Sequence, residues 1–328
     1  MKSLWTVFTL AMVMFASCDN EIENAEEPMQ GEEVTVKIGF DGEILDISEG
    51  PLETKASGND LYGVQVYCKP SNGSDYVPYA NGLFNDPSGL EIKLLTGYKY
   101  RFEATMIEDG VNVIYHGKDS ETGLVYYSKP FGSYLENKII YSSEACFYLS
   151  NTYTNLGSIT NSYSRPNIMR YYGQLDDYVC MVSNPSSISI DMYKVVFGAK
   201  FSFKNFTEGK VSIQIADSPT MVLSFPKISI EDIFTFSDFW MGYAHEGDFV
   251  PRDEEIITTS ISWIKTDGTT IPVYNGPIKF NRNKQTIVTV NLDQESESLG
   301  TKVEIDLEDT PMTPGEEVTI NPGDQVAG

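Results

Sequence analysis

The chain has very little histidine: two residues in 328, His116 and His245, neither with a partner at metal-ligand spacing. It also lacks HExxH, GxSxG, P-loop and dinucleotide-glycine patterns, so the common signatures of metal, nucleophilic and nucleotide chemistry are missing. A Ser-His-Asp site built on either histidine would have to be assembled in space, and a surface or packing role is expected for both. There is no DxDxDG calcium loop. Acidic residues are so numerous that a carboxylate pair at glycosidase spacing is expected by chance, and sequence does not place one. The expectation is no enzyme, no cofactor and no metal. Clusters such as Asp176-Asp177 and Asp253-Glu254-Glu255 are expected on solvated faces.

Basic residues are also scarce. Lys and Arg number 23 against 47 Asp and Glu, a net charge of −24. Such a charge repels nucleic acid and anionic lipid head groups. Apolar runs long enough to span a bilayer are absent, which predicts a soluble body. Extended helical periodicity is missing, with at most a helical turn over 229–236 or 239–243. Cysteine is sparse: beyond Cys18 there are Cys68, Cys146 and Cys180, without a CxxC. Buried free thiols and one disulfide both fit three thiols.

What is present begins at the N-terminus. Met1-Lys2-Ser3 precedes an apolar run from Leu4 to Phe15, then Ala16-Ser17-Cys18. One positive charge, a short apolar core and small residues before a cut describe a secretory signal over 1–17. Ala16-Ser17 directly before the cysteine resembles a bacterial lipobox, with Phe15 where leucine is commoner. That resemblance implies diacylglycerol on the Cys18 thiol and a further acyl chain, such as palmitate, on its freed amine. Two or more chains give stable anchoring to a membrane. Loss of residues 1–17 removes Lys2 and no acid, leaving a mature charge of −25. Residues 18–33 are acidic and nearly free of large apolar side chains, which describes a lipidated tether.

The dominant pattern beyond the tether has period two and predicts strands. Val34, Val36, Ile38 and Phe40 alternate with polar residues, as do Val64, Val66 and Cys68. Glu91 to Leu95 leads to a turn at Thr96-Gly97, and Tyr98, Tyr100, Phe102 and Ala104 follow, as in a hairpin. After Asp109-Gly110, Val111 to Tyr115 is expected to continue as a strand. The stretch 151–184 is rich in Tyr, Asn, Ser and Gly and is expected to form long loops with short strands. Asn184-Pro185-Ser186-Ser187 punctuates the chain like a boundary. Tyr193 to Phe203 is expected as one strand, followed by strands over 210–215, 221–225, 256–265, 271–274, 278–280 and 286–292. Short strands with frequent turn signals indicate β-sandwiches. Length suggests two domains, placed at 34–187 and 188–293, with an acidic tail at 294–328 in which Lys302 to Leu307 alternates.

Tyrosine is the compositional oddity, with 20 residues. Tyr76, Tyr79, Tyr126, Tyr127, Tyr171 and Tyr172 fall in or near expected loops and offer faces for sugar rings or a protein. The alternative is that tyrosine is simply a good strand residue with a polar tip.

Several stretches resemble the fimbrillin-like lipoproteins of the Bacteroides group. They are Thr54-Lys55-Ala56 with Gly63 to Tyr67, Leu95 to Tyr100, Val196 to Phe201 with Asn205 to Gly209, and Asn283 to Thr286 with Val288 to Leu292. The acidic segment after Cys18 also resembles the export tether of that group's surface lipoproteins. The resemblance implies two tandem transthyretin-like β-sandwich domains. It also implies an outer-membrane, surface-exposed location and a role as a fimbrial structural, anchor or accessory subunit in cell adhesion. Partners would be other fimbrial subunits or surface ligands. In that family the first strand is removed by cleavage after arginine, and a donor strand from another subunit fills the groove by β-strand addition. Here the removable first strand would be Val34, Val36, Ile38 and Phe40, and the donor strand Val303, Ile305 and Leu307. The latter equally fits an ordinary edge strand. No arginine lies between Cys18 and Arg101, so the lipid on Cys18 is expected to be retained, as in an anchor or accessory subunit. The other reading is a glycan-binding surface lipoprotein that assists polysaccharide uptake.

Overall fold

A computed structural model describes residues 29–43, 59–128, 130–143, 168–183, 187–215, 220–235, 247, 249–292 and 305–311. The fold is mainly β, as the period-two patterning predicts. The first group of strands is β1 (Glu33–Gly42), β2 (Leu61–Pro70), β3 (Val77–Phe84), β4 (Glu91–Leu95), β5 (Tyr98–Ile107), β6 (His116–Lys118), β7 (Val125–Tyr127), β8 (Ser133–Tyr134), β9 (Ile140–Tyr141), β10 (Arg170–Val179) and β11 (Ser187–Lys194). The second group is β12 (Val196–Lys204), β13 (Lys210–Ile215), β14 (Met221–Ser224), β15 (Ser229–Thr235), β16 (Glu254–Ile264), β17 (Thr270–Asn281), β18 (Lys284–Asn291) and β19 (Ile305–Pro311).

Eight strands of the first group follow one another in the order β4-β1-β11-β10-β5-β2-β3-β9. The row folds over at β11. Ser187 to Met192 pair with β1, whereas Tyr193 and Lys194 pair with β10. A short sheet, β4-β1-β11, thereby faces a long one, β10-β5-β2-β3-β9. At the fold the backbones nearly touch: a Cβ on Gly173 would collide with the Asp191 carbonyl oxygen. Alternate side chains from both sheets fill the space between them. Val36, Ile38, Ile92, Leu94, Ile190 and Met192 meet Val64, Val66, Tyr100, Phe102, Ala104 and Met106. The opposite face of the long sheet is covered as well, because Leu61, Leu83, Ile107 and Tyr172 join a second apolar cluster that continues into the second group.

The second group packs β15-β12-β18-β19 against β14-β13-β16-β17. Phe197, Phe201, Val288 and Val290 from one sheet meet Val211, Ile213, Ile261 and Trp263 from the other.

Several sequence expectations are corrected. Tyr193 to Phe203 is two strands. The Val195 N–H bonds to the Arg170 carbonyl, after which Val196 begins pairing in the second group. The passage between groups therefore falls at Val195, beyond the Pro/Ser punctuation that suggested 187/188. Val111 to Tyr115 is not a strand. Asp109 adopts φ 50° and Gly110 is pressed against Leu61, which turns the chain into a single helical turn over Gly110–Val113. Ser229 to Thr235 is β15, not helical, because it pairs along β12 from Ser202 to Val196. Arg170 to Val179, expected within loops, is a ten-residue strand inside the long sheet. Leu95 to Tyr98 is not a hairpin: β4 pairs with β1 and β5 with β2 and β10, so Thr96-Gly97 carries the chain between opposing sheets.

Candidate functional site

The first strand has an unusual place. β1 lies between β4, antiparallel through Glu33↔Leu95 to Lys37↔Glu91, and β11, parallel through Lys37↔Ser187 to Gly42↔Met192. It makes no hairpin with β2, its neighbour in sequence. Val36 and Ile38 are buried plugs, and Val34 and Phe40 pack beside them, with the Phe40 ring stacked on Tyr62 at 5.6 Å. All four residues singled out in the sequence thus belong to the apolar core between the short and long sheets.

The far edge of that short sheet is closed by tyrosines. Antiparallel pairing with β1 leaves the backbone groups of Lys93 and Leu95 pointing outward from β4. The Tyr141 hydroxyl accepts from the Lys93 N–H at 2.8 Å, and the Tyr79 hydroxyl donates to the Lys93 carbonyl at 2.7 Å. The Tyr100 hydroxyl takes both groups of Leu95. An edge strand normally exposes such groups to any passing strand. Here phenols from the opposite sheet occupy them. Burial, the largest influence on each, pushes the Tyr79 and Tyr100 phenols well above their usual range, so both stay protonated and able to donate.

The other loop tyrosines are mostly packed. Tyr171 and Tyr172 are buried in β10 and Tyr127 in β7. The Tyr76 ring lies under Lys69 and Arg101, and its hydroxyl donates to Asp177. Asp177 lies on a solvated face as expected, 49% exposed, and pairs there with Lys69 and Lys99, whereas Asp176 is largely withdrawn from solvent against Arg101. Of the six, Tyr126 alone is exposed, at 40%, with Tyr134 edge-on to it at 5.3 Å.

The tail strand β19 lies antiparallel on β18, with Ile305 opposite Val290 and Leu307 opposite Val288. Within this chain it occupies an edge position. Cys18 and Val303 lie outside the described residues, as do Cys146 and His245. Cys68 and Cys180 are buried free thiols. His116 is a surface residue, its Nδ1 2.9 Å from the Ile114 carbonyl and its ring tilted against Tyr127. Among the described residues no three His, Cys, Asp or Glu side chains form a metal-ligating group.

One cluster had no signal in the sequence. Asn81, Gln65, Glu103 and Gln174 stand side by side across β3, β2, β5 and β10, all buried. Gln65 Nε2 donates to the Ala80 carbonyl, while Gln65 Oε1 and Asn81 Nδ2 are buried without a partner among the described residues. Burial raises the Glu103 carboxyl to about 7, against the opposing pull of Arg101. These residues are far apart in the chain, and only strand order makes them neighbours.

No family model and no curated relative matches the chain. Solved structures give weak likenesses. A fimbrial tip protein, Mfa3 from Porphyromonas gingivalis, is 8% identical, covering 85% of this chain and 100% of its own, with a TM-score of 0.33. The fimbrial anchor protein Mfa2 from the same organism is 9% identical, over 85% and 97%, with a TM-score of 0.36. A candidate adhesin from Bacteroides thetaiotaomicron is 11% identical, over 88% and 100%, with a TM-score of 0.35. The resemblance read from the sequence is to the same kind of protein. At these scores the likenesses carry no weight in the functional reading, which rests on this chain's own residues.

Proposed function

We propose that this chain is a lipid-anchored subunit of a surface fimbria or adhesive assembly that joins its neighbours by β-strand addition and performs no catalysis. The observation that carries the reading is the placement of β1. It is a strand inserted between two others without a hairpin partner, and its alternate side chains Val36 and Ile38 are plugs in the core. When such a strand departs it leaves apolar pockets, together with unmatched backbone groups on β4 where Glu33 to Lys37 had paired and on β11 where Lys37 to Gly42 had paired. That is the geometry β-strand addition requires. The tail strand β19 is the reciprocal element. It lies at an edge, is joined to the body through the acidic segment after Leu292, and can be donated to another copy's groove.

Lys37 and Lys55 are the only basic residues between Cys18 and β2, which favours a retained lipid and a foot or side component over a shaft subunit. N-terminal analysis of the native protein tests this. A diacylglyceryl Cys18 is expected, and a start at Ala56 would overturn retention. Deletion of residues 301–328 tests the donor, and oligomers that persist unchanged would remove the tail from that role. A second reading, glycan recognition, is favoured only by exposed Tyr126 beside Tyr134. Binding to a polysaccharide panel that Tyr126→Ala leaves intact would end it.

A further inference from the structure

Glu43, the residue directly after β1, joins the first strand to the second group. Its two carboxylate oxygens each lie 2.8 Å from Nη1 of Arg282, in the turn between β17 and β18. One of them also accepts from the Lys194 N–H at 2.7 Å, and Arg282 Nη1 donates to the Lys194 carbonyl at 3.1 Å. Acid and base together take both backbone groups of the last residue of β11, where the chain leaves for the second group. Arg282 is held from behind, since its N–H bonds to the Asp253 carbonyl and its Nη2 reaches the Asp253 carboxylate at 3.4 Å. The pair is largely withdrawn from solvent, the two side chains being 14% and 27% exposed. Gly42 aims Glu43 at this point. It has φ +83°, and a Cβ there would come within 2.7 Å of the Met192 carbonyl oxygen.

The two ends of β1 are therefore held differently. At the N-terminal end the charged contact is Glu33 with Lys93, both more than half exposed and open to screening by salt. At the C-terminal end the contact is a sheltered, charge-assisted pair. A strand that frays from its N-terminal end leaves the groove only when Arg282 lets go. Departure then leaves a largely buried guanidinium with only the longer ionic contact to the exposed Asp253 carboxylate at 3.4 Å, which disfavours release.

We propose that the Glu43–Arg282 pair is a latch: it sets how readily the first strand leaves its groove and couples that departure to the junction between the two groups of strands. This rests on the reading of β1 as the exchangeable strand. It places the control of exchange at one acidic residue just past the strand, so that an incoming strand without an acid there is seated but not locked.

The test uses the full chain carrying a protease site within residues 44–58. After cutting, a labelled peptide of residues 29–43 is added in excess and its incorporation is followed. Glu43→Gln and Arg282→Gln are each expected to speed displacement at least tenfold, with Arg282→Lys intermediate. The double variant is expected to be no faster than either single one, since both remove the same pair. Single-variant rates within twofold of the parent, or effects that multiply in the double variant, overturn the latch and leave strand addition standing. If the peptide enters no variant and not the parent, the strand is not exchangeable, and both readings fall.

Discussion

The hydroxyl of Tyr100 accepts a hydrogen bond from the Leu95 N–H at 2.7 Å and donates one to the Leu95 carbonyl at 3.0 Å. A side chain from the long sheet thereby occupies both backbone groups of an edge residue in the short one. The contact spans the Thr96-Gly97 turn, whose two strands lie in opposing sheets. Tyr100→Phe removes one oxygen and leaves two partly buried backbone groups unmatched. A loss of about 1–3 kcal/mol is expected, read from urea unfolding at pH 7. A change under about 0.5 kcal/mol, the range of an unimportant surface substitution, would mean that water replaces the phenol at no cost.

Tyr79 and Tyr141 act differently, because they shield Lys93 from other chains. Replacing both with Phe uncovers a donor and an acceptor on the β4 edge. The expected outcome is concentration-dependent association, seen by light scattering after size exclusion, with little change in the melting temperature. A double variant that remains as monodisperse as its parent would show that the hydroxyls do not guard the edge.

Glu103 gives stability a pH dependence of unusual sign. Its folded value of about 7 exceeds the ordinary 4.5, because burial disfavours the charged form. Below pH 4.5 the group is neutral folded or unfolded, and its favourable contribution is complete. That contribution is lost as pH rises through 7, where the folded chain must bury a charge that the unfolded chain keeps in water. The loss by pH 8 is on the order of 3 kcal/mol. Glu103→Gln is expected to raise the melting temperature at pH 8 and to flatten its dependence between pH 5.5 and 8. Thermal unfolding across that range checks this, and a parent that is more stable at pH 8 than at pH 6 would contradict it.

Gly173 is fixed by proximity. Besides the Asp191 carbonyl, a Cβ at this position would meet Met192 Sδ at 2.8 Å and Ile190 Cγ2 at 2.9 Å, so there is no room for a methyl group. Gly173→Ala is expected to force β10 and β11 apart and to cost about 1–3 kcal/mol. Limited proteolysis should then cut faster near β11. Unchanged unfolding and proteolysis would show that the fold-over tolerates separation.

Much of the fold was legible because strands with one buried face write period two into the sequence. β1 and β13 are the plainest cases, with Val36 and Ile38, and Val211, Ile213 and Ile215, each facing a core. β10 was not legible, because both of its faces are covered and one is polar: Arg170, Tyr172 and Gln174 look like loop residues until their sheet neighbours are known. The break at Val195 was hidden by apolar residues on both sides of it, Tyr193 and Val196, which read as one run. At the candidate site the plugs were visible and the controls were not. Glu43 and Arg282 are 239 positions apart, and nothing local to either marks them as partners.

The parallel pairing of β1 with β11 bears on mechanical load. If the chain is held at its N-terminal end and pulled through the second group, tension runs along the axis of β1. Its rungs to β4 and β11 are then loaded together in shear, whereas a hairpin strand would peel away one rung at a time. A separable strand can in this way be released by thermal fraying and yet withstand a tug. Single-molecule pulling between an N-terminal handle and one placed after Leu292 should show a single high-force event for β1, and stepwise yielding at low force would contradict it.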